Sequence, residues 1–190
     1  MAVRRKRRTM QLPNAVERIL LDEETIAARV RELAAQISAD YADEDDLILV
    51  GVLKGAFIFL ADLARRLMVS HHVDFIAVSS YNRGTVNSGA VRLIMDTRTS
   101  VASRHVLIVE DILDTGHTLD YLLRNFRARK PASLRSCVLL SKPERRQVEV
   151  PVDYLGFEIP DLWVVGYGLD YADRFRTLPY IGALKQEAHE

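Results

Sequence analysis

The chain has 190 residues, of which 48% are apolar, so it can form the core of a single domain. Its 26 basic residues are balanced by 26 acidic ones, and this net charge gives no indication of a nucleic-acid or membrane-surface partner. The only cysteine, Cys137, excludes an intrachain disulfide and a cysteine-based metal cluster, and the lack of an 18-residue apolar run excludes a bilayer-spanning helix.

The N-terminal segment 1–10, MAVRRKRRTM, is basic, with five cations between Arg4 and Arg8. Basic arms can bind nucleic acid, but a solvated, frayed terminus is the commoner behaviour of such a segment. The segment also lacks the apolar stretch of a secretory signal. We therefore expect one domain over residues 1–190 with a flexible basic start, in a cytoplasmic protein without a membrane or nucleic-acid partner.

Helical and strand patterns alternate along the first half of the chain. Asp22 can cap a helix that ends near Asp40, and the β-branched run Leu47–Val52 is typical of a buried parallel strand. A second helix follows, with an apolar stripe that consists of Phe57, Leu60, Ala64 and Leu67. The polar segment Tyr81–Ala90 is too long for a simple turn, and irregular segments of this length are typical of lids.

The same alternation continues to the C-terminus, with another helix from about Thr118 to Arg129. Further strands are predicted at Val73–Ser80, Ala90–Met95, His105–Glu110, Leu134–Leu140, Val152–Phe157 and Leu162–Tyr167. This order predicts an α/β fold with a largely parallel sheet, in which ligands bind beyond the carboxyl ends of the strands. The loops that should meet there follow Val52, Glu110, Leu140 and Val165.

The most informative stretch is Val106–Leu119, VLIVEDILDTGHTL, in which a strand runs into an acidic loop and a helix start. Free backbone N–H groups and threonine hydroxyls at a helix start form an anion site. The neighbouring carboxylates would repel a phosphate, so they are suited to sugar hydroxyls instead. The nucleotide-triphosphate pattern GxxxxGK[ST] is absent. The stretch therefore predicts a loop for a phosphorylated sugar, in preference to a strand end with solvated acids.

This stretch resembles the phosphoribosyl-diphosphate (PRPP) motif of type I phosphoribosyltransferases, and the chain from Leu47 to Lys185 is similar to the hypoxanthine-guanine phosphoribosyltransferase family. The similar segments are VGVLKGAFIFLADL, VSSYNRGTVNSG, VLIVEDILDTGHTL, LLSKPERR, DYLGFEIPDLWVVGYGLDY and FRTLPYIGALK. The resemblance implies a twisted, mainly parallel sheet flanked by helices, a small hood formed by terminal segments and a flexible lid loop. It also implies Mg²⁺ dependence and a homodimer or homotetramer.

The resemblance assigns roles to the PRPP loop. Glu110 and Asp111 should hold the ribose hydroxyls, and Asp114 should be the general acid/base near purine N7. The residues implied around the 5′-phosphate are Asp114, Thr115, Gly116, His117 and Thr118. The side chain of His117 is expected to point to solvent.

The resemblance also implies the pyrophosphate, metal and lid residues. Pyrophosphate should be held by Leu53, Lys54, Gly55 and Arg176, and the Leu53–Lys54 peptide is often cis in the family. Asp170 is the implied Mg²⁺ ligand, with Glu110 and Asp111 as weaker candidates. Ser80 and Tyr81 begin the implied lid.

The implied purine contacts are Lys142, Trp163, Val164 and Asp170. An ammonium donates but cannot accept, so Lys142 would favour a 6-oxo over a 6-amino purine. Trp163 would stack on the base, as aromatic residues do in nucleic-acid binders. Taken alone, Lys54 and Lys142 would each be a solvated loop lysine, and Trp163 could equally be a buried core residue.

Together these features predict an enzyme that transfers the phosphoribosyl group of PRPP to N9 of hypoxanthine or guanine, giving IMP or GMP and pyrophosphate. Two alternatives remain open. One is a non-catalytic regulator of the same fold that senses PRPP, and the other is a transferase that prefers xanthine.

Overall fold

A computed structural model describes residues 13–80 and 91–188 of the chain. The basic segment 1–10 and the implied lid residue Tyr81 lie outside the described residues. The strands are β1 (Val16–Leu21), β2 (Leu47–Leu53), β3 (His71–Ser80), β4 (Val91–Met95), β5 (His105–Leu113), β6 (Ser133–Ser141), β7 (Tyr154–Glu158), β8 (Val164–Val165) and β9 (Ile181–Leu184). The α-helices are α1 (Glu23–Asp40), α2 (Phe57–Ala64) and α3 (His117–Ala128).

The main sheet has six strands in the order β4-β3-β2-β5-β6-β7. All neighbouring pairs are parallel except β3 and β4. Strand β2 lies near the middle and its residues Leu47–Val52 are all buried, as the β-branched run predicts for a strand covered on both faces. The predicted α/β fold with a mainly parallel sheet is confirmed.

Helices cover both faces of this sheet. Alternate residues of β2 contact different cores: Leu49 packs with α1 and α2, and Val50 packs with α3. Asp22 caps α1 as predicted, because its Oδ1 accepts a hydrogen bond from the backbone N–H of Thr25 at 2.8 Å. Cys137 is fully buried in the core that contains Leu49, and burial raises the pKa of its thiol.

A second, antiparallel sheet has the order β1-β9-β8. It joins a segment from each end of the chain, as implied for the hood, but β1 and β9 were not predicted as strands. Strand β8 is also much shorter than the predicted span Leu162–Tyr167. The backbone turns directly after Val165, because Gly166, Tyr167 and Gly168 all have positive φ angles.

The predicted stripe of α2 is partly wrong. Leu60 and Leu67 are buried, but Phe57 is 40% exposed, and the helix instead buries Phe59 and Leu63. None of the helices in residues 13–80 and 91–188 is both long and apolar enough to cross a bilayer. The extent of the single domain, residues 1–190, stays a prediction.

Candidate functional site

The predicted loops after β2 and β6 lie beside the end of β5 at the carboxyl ends of the parallel strands, and the turns after β8, a strand of the antiparallel sheet, lie against the loop after β2. Gly55, in the loop after β2, lies against Asp111 of β5, since an ideal Cβ on Gly55 would be 1.7 Å from Asp111 Oδ2. Gly168, in the turns after β8, lies against the same loop, since its Cβ would be 1.9 Å from the carbonyl oxygen of Gly55. The loop after β6 joins the site where Lys142 N donates to Leu113 O at 3.0 Å. A side chain at Gly55 would have to displace the Asp111 carboxylate, and a side chain at Gly168 would have to displace the carbonyl of Gly55.

The expected cations of the pyrophosphate site lie together. The Leu53–Lys54 peptide is cis, and Lys54 Nζ contacts Asp173 Oδ1 at 3.0 Å. Arg176 Nη2 lies 3.0 Å from the same oxygen and 2.7 Å from Asp170 Oδ1. Asp173 was not singled out from the sequence, yet it pairs with both predicted cations.

The two adjacent carboxylates of β5 lie inside the strand, which runs past the predicted end at Glu110 to Leu113. Glu110 is only 5% exposed, and its Oε2 has no hydrogen-bond partner within the described part of the chain. Burial, with the charge of Asp111 as a smaller cause, raises the pKa of Glu110 well above its ordinary value. Burial likewise raises the pKa of Asp111 to about 6, although its own backbone N–H and the Arg176 charge oppose the shift.

The turn into α3 is a helix start at a glycine, and its proposed role as an anion site stays a prediction. Gly116 caps the helix with φ +95°, a conformation that glycine adopts without strain. The carbonyl oxygen of Thr115 accepts hydrogen bonds from the backbone N–H groups of Gln147 and Val148, both at 3.0 Å. The ring of His117 is partly exposed and its Nε2 lies 3.1 Å from Gln147 Oε1, and the expectation that the side chain points to solvent stays a prediction. Thr118 lies in the first turn of α3.

Asp114 and Lys142 are linked by two residues that sequence reasoning missed. Arg145 Nε donates to Asp114 Oδ1 at 2.8 Å, and Arg145 Nη1 lies 3.5 Å from Asp161 Oδ2. The other oxygen of Asp161 lies 3.7 Å from Lys142 Nζ. Lys142 is only 7% exposed, so the alternative of a solvated loop lysine is wrong. A buried ammonium requires such a counter-charge, and its N–H donors suit a carbonyl oxygen.

Trp163 lies directly before β8 and is 54% exposed, so it is not a buried core residue. Its ring meets the edge of Tyr171 with a centroid distance of 6.1 Å and an interplanar angle of 78°. Val164 is buried and pairs with Ala183 in the small sheet. An exposed tryptophan face on a fixed backbone is suited to stacking on a flat ligand.

Two further predicted residues are Ser80, at the start of the implied lid, and Asp170, the implied metal ligand. Ser80 ends β3, where its backbone pairs with Val91. Both carboxylate oxygens of Asp170 have a partner. Oδ2 accepts a hydrogen bond from the backbone N–H of Asp173 at 2.7 Å, and Oδ1 contacts Arg176. Within residues 13–80 and 91–188, no three His, Cys, Asp or Glu side chains form a cluster that could hold a metal by themselves.

Gly55→Ala is expected to destabilise the protein by about 1–3 kcal/mol, because the new methyl group would overlap the Asp111 carboxylate. All three atoms nearest to the added Cβ belong to Asp111. A double-mutant cycle with Asp111→Ala, measured by urea unfolding, should therefore remove most of this cost. An equal cost in both backgrounds would show that another contact is responsible.

The buried carboxylates of β5 predict a stability that falls as pH rises. Because the folded pKa of Glu110 and of Asp111 is raised, the folded chain binds more protons than the unfolded chain between their ordinary and raised values. The contribution of these two groups to the free energy of unfolding should therefore decrease from about pH 4 to above pH 6. Glu110→Gln should reduce this decrease by on the order of 1–3 kcal/mol in urea titrations. Glu187→Gln, at an exposed glutamate, serves as the control and should leave the profile unchanged.

Comparisons with known proteins identify relatives of the whole chain. The phosphoribosyl transferase domain family matches residues 18–172. The chain is 49% identical over 175 residues to a hypoxanthine-guanine phosphoribosyltransferase of Bacillus subtilis (strain 168), covering 92% of this chain and 97% of that protein. It is 48% identical over 165 residues to a hypoxanthine phosphoribosyltransferase of Escherichia coli (strain K12), covering 86% of this chain and 93% of that protein. The crystal structure of a hypoxanthine phosphoribosyltransferase from Staphylococcus aureus matches with a TM-score of 0.88 and 44% identity, covering 93% of this chain and 96% of that one.

Proposed function

The chain belongs to the hypoxanthine-guanine phosphoribosyltransferase family, and from this premise we propose which residues carry the reaction. The protein is a transferase of purine salvage that moves the 5-phosphoribosyl group from PRPP to hypoxanthine or guanine. The observation that supports the residue assignments is the set of contacts that joins the buried Lys142 to Asp114 of the PRPP loop through Asp161 and Arg145. Family membership with close relatives of this activity argues against a non-catalytic regulator.

In our proposal the sugar phosphate binds on the loop after β5. Backbone N–H groups of residues 115–118 hold the 5′-phosphate at the start of α3, with Asp114 beside them. Glu110 and Asp111 accept hydrogen bonds from the ribose hydroxyls. Their raised pKa values support this role, because two buried carboxylates gain stability when donors reach them.

The purine binds between Trp163 and the loop after β6. Lys142 donates to the 6-oxo oxygen, while the backbone near Val164 and Asp170 contacts the opposite edge of the base. Purine N9 attacks C1′ as the bond to pyrophosphate breaks, and Asp114 takes the proton from N7. Lys54, Arg176 and the backbone of Leu53 and Gly55 stabilise the departing charge, and Ser80 and Tyr81 begin a lid that excludes water.

We propose that Mg²⁺ is required, with Asp170 as its main protein ligand and Glu110 and Asp111 as weaker candidates. The charges of these carboxylates support this assignment. Burial and the nearby charge of Asp170 both raise the pKa of Asp111, and a bound cation would stabilise the ionised form of Asp111. Mg²⁺ takes few carboxylates and completes its shell with water and phosphate oxygens, which suits a site with no three-residue cluster. When bound, it would neutralise charge on the diphosphate.

We also propose a cytoplasmic homodimer or homotetramer. Val73, Ile94 and Met95 on β3 and the edge strand β4 are each exposed apolar residues, which supports self-association at this edge of the sheet. Sedimentation of the purified protein would give the number of subunits.

The test of the proposed function is a PRPP assay of the purified protein with hypoxanthine, guanine, xanthine and adenine, with and without Mg²⁺. Formation of IMP and GMP together with equimolar pyrophosphate, only with Mg²⁺, is the expected result. Faster turnover of xanthine than of either base would favour the alternative specificity. PRPP binding without any product would instead favour a regulator.

A further inference from the structure

The carboxylate of Asp173 forms ion pairs with both cations that we assign to pyrophosphate. Lys54 Nζ and Arg176 Nη2 each lie 3.0 Å from the same oxygen, Asp173 Oδ1. These two cations come from loops that are more than a hundred residues apart in sequence, so one acidic side chain bridges two walls of the site. An anion that bridges two phosphate-binding cations resembles, in charge and position, the ligand that those cations serve.

The backbone around Asp173 holds its carboxylate in this position. Tyr171 and Arg174 form a bridge that closes a tight turn, and Ala172 and Asp173 have φ angles of 51° and 59°. Aspartate tolerates this left-handed conformation better than most residues. The backbone N–H of Asp173 donates to Asp170 Oδ2 at 2.7 Å, which ties the turn to the proposed metal ligand.

A diphosphate can displace the Asp173 carboxylate from Lys54 and Arg176. Hydrogen bonds from Arg176 and Lys54 lower the pKa of Asp173, so its carboxylate is an anion at neutral pH. Its side chain is 70% exposed and that of Lys54 is 67% exposed, so this ion pair contributes little. The Arg176 side chain is 19% exposed, but it also pairs with Asp170 and so keeps a counter-charge when Asp173 is displaced. A diphosphate carries more charge and more acceptor oxygens than one carboxylate, so it can take both cations.

We infer that Asp173 is an internal competitor of pyrophosphate, which holds Lys54 and Arg176 in the free site and releases both when a diphosphate binds. This inference rests on the proposed assignment of those two cations to pyrophosphate. It gives Asp173 a positioning role: the carboxylate keeps the cations aligned before binding and recaptures them as pyrophosphate leaves. The diphosphate therefore binds less tightly than it would if residue 173 were uncharged, with Lys54 released and Arg176 paired only with Asp170.

The test is calorimetric titration of inorganic pyrophosphate into Mg²⁺-loaded wild-type protein and the Asp173→Asn variant. Asparagine tolerates the left-handed backbone but carries no charge, so the variant should bind pyrophosphate about three- to tenfold more tightly. A purely structural role for Asp173 predicts the opposite sign, because a damaged turn would weaken binding. The expected gain in affinity therefore separates the two explanations.

Asp46→Asn is the matched control. Asp46 also has a left-handed backbone, with φ 67°, and pairs with Arg104 at 2.7 Å, but it precedes β2 at the opposite end of the sheet. Both variants change the net charge equally, so Asp46→Asn should bind pyrophosphate like the wild type. Equal or weaker binding by Asp173→Asn, or equal tightening in both variants, would overturn the inference. If none of the three proteins binds pyrophosphate, the assignment of Lys54 and Arg176 is wrong and the inference fails with it.

Discussion

Asp114→Asn should lower the turnover number by about 10²- to 10⁴-fold, the range typical of a lost general acid/base. Asparagine keeps the size and the hydrogen-bonding reach of the side chain but cannot take a proton from purine N7. The contact with Arg145 Nε can survive, because an amide oxygen still accepts. PRPP binding should change far less than turnover, and steady-state kinetics with equilibrium PRPP titration would measure both.

Asp120→Asn is the matched control for this substitution. Asp120 is likewise an aspartate paired with an arginine, Arg124, at 2.7 Å in the first turn of α3, and we assign it no contact with substrate. Its variant should retain turnover within a few-fold. If Asp114→Asn also retained turnover, Asp114 would only shape the loop around the 5′-phosphate.

Lys142→Met should lower kcat/KM for hypoxanthine by about 10- to 100-fold, the usual effect of a lost charged hydrogen bond in a site of low exposure. Methionine fills most of the buried volume of the lysine stem, so the loss should come from the missing ammonium donors. The ratio of kcat/KM between hypoxanthine and adenine should fall as well, because the group that distinguishes a 6-oxo from a 6-amino substituent is gone.

The comparison for Lys142→Met is Lys185→Met, which removes an ammonium from an exposed position just after β9. This control should alter neither kcat/KM nor base preference. A Lys142→Met protein that lost activity on hypoxanthine and adenine by the same factor would show that Lys142 supports the loop without selecting the base.

The sequence predicts the main sheet well because its strands are buried on both faces. Each of β2, β5 and β6 contains a continuous apolar run, at residues 47–52, 106–109 and 137–140, which is typical of a strand covered on both faces. Strands β1 and β9 lack such a signal. In β1, VERILL, only Val16 is fully buried, and the charged residues that follow it break the apolar pattern of a strand. The partner of β1 is β9, near the other end of the chain, so no local pattern indicates the pairing.

The sequence predicts the part of the candidate site that consists of one contiguous segment. It does not predict the contacts between segments that are distant in sequence. The acidic loop after β5 and the helix start at Gly116 are contiguous in sequence. By contrast, Arg145 and Asp161 connect Lys142 to Asp114 through contacts that no local spacing encodes. Lys142 and Trp163 also show why burial must be observed: the lysine is buried and the tryptophan exposed, the reverse of their usual preferences.

The burial of Cys137 has a practical consequence for studying motion in this protein. It is the only cysteine in the chain, and burial both shields the thiol and disfavours the reactive thiolate. A cysteine introduced at an exposed position, such as Met68, would therefore be the one thiol that reacts with a fluorescent probe. The wild-type background needs no prior substitution, so motion at the labelled position could be followed by spectroscopy in an otherwise unaltered chain.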